Sequence, residues 1–77
     1  MAIDNDRNRV LASLRNRADG VDCAALAGDL VLAKEAVARH LLYCADYALV
    51  AWDRHRNGAG RATITTRGRE YLVRQGL

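Results

Sequence analysis

The sequence predicts an α+β domain, mainly α, in which three helices are followed by a β-hairpin and a closing helix. Three observations predict it. Apolar residues recur at helical spacing in three segments before residue 47. A short apolar run, Leu49-Val50-Ala51-Trp52, is then answered by Ala62-Thr63-Ile64 across a glycine-bearing segment. Finally, Thr65 stands where a helix cap is needed, ahead of a segment carrying Tyr71 and Leu72. No proline, repeat or linker interrupts the chain, so one domain over residues 1–77 is expected.

The first helix is expected over about residues 5–18, with Val10, Leu11, Leu14 and Ala18 on its apolar side and Asp4 or Asp6 capping its start. Arg7, Arg9, Arg15 and Arg17 decorate the rest. Asp19-Gly20 ends it, because glycine tolerates the left-handed cap. Val21 reads as a short extended residue that pairs with a later strand. Asp22 caps a second, short helix over 22–29 that buries Cys23 and Leu26, with Leu30 beside them. Gly28 sits inside it at a cost of roughly 1 kcal/mol relative to alanine.

A turn at about Leu30–Leu32 leads to a third helix over 33–46, whose buried stripe is Val37, His40, Leu41, Cys44 and Ala48. Strands follow at about 49–54 and 61–65. Between them, Arg54-His55-Arg56-Asn57-Gly58-Ala59-Gly60-Arg61 is a hairpin-tip sequence, since Asn-Gly permits positive backbone angles. The last helix is expected over 66–75, with Tyr71, Leu72 and Leu77 packing inward.

Composition limits the functional classes. At 77 residues the chain is near the size where one core is marginal without a partner, a metal or disulfides. It is 51% apolar and 27% charged, which reads as globular and soluble. No run approaches the roughly 20 apolar residues that span a bilayer. MAIDNDRNR lacks the apolar stretch of a signal peptide, so a cytoplasmic location and no membrane partner are expected.

The net charge of +3 is unevenly spread. Residues 1–53 carry six basic and eight acidic groups, whereas residues 54–77 carry six arginines against Glu70 alone. A basic block at one end of a small chain is an electrostatic footprint for a polyanion, most often nucleic acid. Cys23 and Cys44 are expected in the core. His40 and Cys44 stand four apart, but no further pair completes a metal site, so neither a metal nor another cofactor is expected. No nucleophile–base set or phosphate loop supports an enzyme.

Short helix, break, longer helix and basic hairpin together make a helix-turn-helix with a wing. In this order the residues resemble bacterial winged helix-turn-helix regulators of the repressor type. Leu26-Ala27 matches the second-helix pattern, and Val37-Ala38-Arg39-His40-Leu41 resembles that of the recognition helix. Ala48-Leu49-Val50 stands where Gly-Leu-Val usually opens the wing, and Ile64-Thr65-x-x-Gly68-Arg69-Glu70 is similar to the segment that closes it. The resemblance covers about residues 8–74. It implies a three-helix bundle, a two-stranded β-wing and a C-terminal helix, with double-stranded DNA as partner, transcriptional regulation as function and a homodimer as the acting form.

With Val37, Leu41 and Cys44 buried, Lys34, Glu35, Ala38 and Arg39 fall on opposite or flanking faces. Arg39 is then expected to take a guanine, Glu35 a cytosine amino group and Lys34 a phosphate, with Ala38 allowing close approach. Arg54, Arg56 and Arg61 are expected to meet the minor groove or backbone. Two departures bear on this: Leu42 stands at a position normally polar, and Glu35 would repel phosphates. Both, with Ala38, suit the alternative, a winged-helix module that binds protein through the same face.

Overall fold

The computed structural model describes residues 2–53 and 60–77. In chain order the elements are α1 (Ala2–Arg15), β1 (Val21–Asp22), α2 (Cys23–Leu30), α3 (Lys34–Asp46), β2 (Val50–Trp52), β3 (Arg61–Ile64) and α4 (Thr66–Arg74). The strands form one antiparallel sheet in the order β1-β3-β2, with Val21 opposite Ala62 and Val50 opposite Ile64. This is a winged helix-turn-helix, mainly α. Beside the two-stranded wing, Val21 pairs with the later strand as its sequence suggests, and β1 places it, 6% exposed, against the core.

Val10, Leu11 and Leu14 of α1 are completely buried, as their spacing requires. The helix begins and ends earlier than its sequence suggested. Asp4 and Asp6 lie within it rather than at its cap, and Asp6 instead faces Arg9 at 3.4 Å. At the other end Ala18 is exposed beyond the last helical residue, Arg15. Two turns, Arg17 N–H to the Leu14 carbonyl (3.1 Å) and Gly20 N–H to that of Arg17 (3.0 Å), redirect the chain into β1. Gly20 has φ +85°, and a Cβ there would stand 3.0 Å from Thr63 Oγ1. Only glycine suits both demands.

The helix-turn-helix is defined at each joint. Asp22 Oδ1 accepts from the Ala25 N–H at 2.7 Å, capping α2. Val31 closes α2 in the left-handed region (φ 56°), and Leu32 N–H bonds the Ala27 carbonyl at 3.0 Å. Arg9 reaches across from α1 to the Leu30 carbonyl at 2.8 Å, satisfying an end group of α2. In α3, Val37, Leu41 and Cys44 are buried, but the stripe stops there: Ala48 lies past the helix end, exposed, with φ 60°.

The wing's two ends are clamped together. Thr65 Oγ1 accepts from the Gly68 N–H (3.0 Å), capping α4, while its hydroxyl donates to the Ala48 carbonyl (2.6 Å). Leu72 anchors α4 in the core and Tyr71 is half-buried. Leu77, expected to pack inward, is instead 51% exposed, and its carbonyl accepts from Arg15 at 2.6 Å. Among the described residues the buried set is entirely apolar or glycine, apart from the two free cysteines.

Candidate nucleic-acid interface

With Val37, Leu41 and Cys44 turned to the core, a rotation of about 100° per residue sets Glu35, Arg39, Leu42 and Asp46 outward. All four are exposed, as is Lys34. Ala38 is half-buried and packs against the core, so it forms a shoulder rather than part of the crest. No side chain caps the start of α3, since Ala33 offers no acceptor. The Glu35 carboxylate in the first turn, rather than a capping oxygen, is what offsets the positive end of the helix dipole there.

The wing contributes differently. Arg54 and Arg56, like His55, lie outside the described residues. Its base is closed by the Asp53 N–H bonding the Arg61 carbonyl (2.9 Å) and by Trp52 Nε1 donating to the Gly60 carbonyl (3.3 Å). Arg61 is exposed, but its guanidinium reaches the carbonyls of Asp19 and Gly20, each at 3.4 Å. It ties the wing to the loop ahead of β1.

On one flank of α3, a pocket of about 420 Å³ is lined by Arg7, Ala36, Arg39, His40 and Tyr43. The Arg7 guanidinium stacks over the Tyr43 ring, 3.5 Å from its centre, and Tyr43 in turn packs on Tyr47 with centroids 4.6 Å apart. Partial burial holds the His40 pKa below its ordinary value; Arg7 and Arg39 push the same way and Asp6 opposes them. By sequence spacing alone Arg7 only decorates the first helix. Its place beside α3 depends on tertiary packing, which no local pattern reveals.

A larger groove, about 620 Å³, runs between α3 and α4, with Tyr43, Tyr47, Leu49, Arg67, Tyr71 and Arg74 among its walls. Burial raises the Cys23 thiol pKa and pushes that of Cys44 up to about 11, so both stay protonated at neutral pH. Among the described residues no three His, Cys, Asp or Glu side chains gather to hold a metal. Nor is any described helix long and apolar enough to cross a membrane.

No protein-family profile matches the chain, and no curated protein matches it. Solved structures do. A provisionally assigned DNA-binding protein from Ralstonia eutropha JMP134 superposes with a TM-score of 0.77 at 22% identity, covering 90% of this chain and 91% of that one. A MarR-family transcriptional regulator from Silicibacter pomeroyi gives 0.77 at 24% identity over 88% of this chain and 46% of its own. RV1404 from Mycobacterium tuberculosis gives 0.73 at 28% identity over 90% and 47%. The chain thus spans about half the length of the last two. The likeness establishes the winged helix-turn-helix fold.

Proposed function

We propose that this domain binds double-stranded DNA in a sequence-specific manner and regulates transcription, acting as a homodimer. In this reading α3 lies in the major groove and the wing meets the minor groove or the backbone. The observation that carries it is the outward face of α3, where Lys34, Glu35 and Arg39 stand exposed on a fold shared with a named transcriptional regulator.

Each residue has a role that its chemistry suits. Arg39 donates bidentately to a guanine, and Glu35 accepts from a cytosine amino group. Lys34, in the first turn of α3, contacts phosphate. Ala38, small and on the shoulder, lets the helix approach closely. Arg54 and Arg56 supply the wing's charge, while Arg61 holds the wing's base and meets the backbone.

The test is selection of duplexes from a random library by the purified protein, followed by a salt titration of the winner. A short palindromic consensus is expected, with affinity falling at a log–log slope near −0.9 per phosphate neutralised. Arg39→Ala should relax sequence preference, and Arg54→Ala with Arg56→Ala should weaken all duplexes alike. Absence of enrichment at low salt sinks the reading. It would leave the protein-binding module, which the exposed Leu42 (38%), Tyr43 (39%) and Tyr47 (56%) favour.

A further inference from the structure

The flank of α3 that holds His40 carries more cationic chemistry than base reading uses. Arg7 enters from α1, while Arg39 and His40 come from α3, and all three line one pocket of about 420 Å³. Ala36 and Tyr43 complete its lining. Tyr43 supports the Arg7 guanidinium from 3.5 Å, so that cation is already held in place before any ligand arrives. The pocket borders Arg39, which belongs to the outward face of α3, so a duplex engaged by that face brings its backbone alongside.

We propose that Arg7 and His40, beside the base-reading Arg39, form a clasp for one phosphodiester of the DNA backbone, and that the clasp tightens when His40 takes up a proton. This rests on the DNA-binding reading above. A phosphodiester fits the site because it offers anionic oxygens to the Arg7 guanidinium fork and to an imidazole N–H. Because the cations come from two helices, the clasp fixes α1 as well as α3 on the duplex. It is a positioning contact and reads no base.

The sign of the pH effect follows from the groups that face His40. These are Arg7 and Asp6 from α1, and Arg39 and Tyr43 from α3; Asp6 is itself paired with Arg9 at 3.4 Å. Burial and the two arginines keep His40 neutral at neutral pH in the free protein. A bound phosphodiester, anionic throughout, offsets those cations and raises the imidazole pKa in the complex. Binding therefore takes up a proton. Affinity is greatest below the free-state pKa, falls as pH rises through the bound-state pKa and is flat above it.

The experiment measures the affinity of the full chain for its selected duplex, as fluorescence anisotropy, in pH and salt series. Wild type should tighten severalfold from about pH 8 to about pH 5.5, and His40→Gln should remove that dependence. Arg7→Gln should weaken all duplexes alike and reduce the salt slope by about 1, while Arg7→Lys keeps the slope. A scan of duplexes with one uncharged methylphosphonate at a time needs no protein variant. One position per half-site should lose both affinity and the pH dependence.

The clasp is overturned if His40→Gln keeps the wild-type pH profile. It is equally overturned if folded Arg7→Gln keeps the full salt slope, or if no single methylphosphonate abolishes the pH effect. A wild-type protein that binds no duplex at low salt overturns the DNA reading itself, whereas pH-independent duplex binding overturns the clasp alone.

Discussion

Val31 and Ala48 occupy the left-handed backbone region at φ 56° and 60°, one at the end of α2 and the other after α3. A side chain with a Cβ is disfavoured there by roughly 1–2 kcal/mol, and a β-branched one is most strained. Val31 is also 88% exposed, so its isopropyl group has little packing to lose. Val31→Gly is therefore expected to stabilise the fold by about 1 kcal/mol, partly offset by the greater freedom of glycine when unfolded. A thermal melt checks this, and an unchanged or lower melting temperature would refute the strain argument. Ala48 was legible as a departure, since glycine usually stands there, and the structure shows that the turn keeps its left-handed shape regardless. Val31 was not legible, because valine signals a strand or a helix stripe and never a left-handed cap.

At the scale of elements, the joint between the wing and α4 is the tightest. A Cβ on Gly68 would collide with the Leu49 carbonyl and crowd Ile64 Cγ1, at 2.8 Å. That same carbonyl accepts the Thr65 N–H at 3.1 Å, so it has little freedom to retreat. Gly68→Ala should cost about 2 kcal/mol through overpacking, read as a shift in the urea midpoint at constant slope. A neutral result would mean that α4 is free to slide. Caps made the element order legible: Asp22 and Thr65 each precede a helix and each accepts the expected N–H. The start of α1 was misread because Asp4 and Asp6 both look like caps, whereas the helix runs back to Ala2.

Across the whole molecule, part of the arginine-rich end joins the chain to itself. Arg61 and Arg69 reach back to carbonyls of Asp19, Gly20 and Arg15, joining the C-terminal third to the end of α1. Composition alone reads all six as a polyanion footprint and has no means of showing which of them also bridge to carbonyls. The α3 face, by contrast, was legible from periodicity, since burial of Val37, Leu41 and Cys44 dictates what faces out. The Arg7–Tyr43 contact was not, because it joins segments far apart in sequence. For the proposed homodimer, the end of α4 is the surface we favour, with Val73 74% and Leu77 51% exposed. Sedimentation should give a dimer for wild type and a monomer for Val73→Asp with Leu77→Asp; a monomeric wild type would end this assignment.

The strand order has a consequence for how the chain acquires its shape. β3 is the central strand, yet both of its neighbours, β1 and β2, precede it in the chain. During synthesis neither early strand has anything to pair with until residues 61–64 leave the ribosome. The helices can gather first, but neither the pairing of Val21 with Ala62 nor that of Val50 with Ile64 can form before β3 is present. A ribosome stalled ahead of β3 would thus hold α2 and α3 beside two segments that have no strand to pair with.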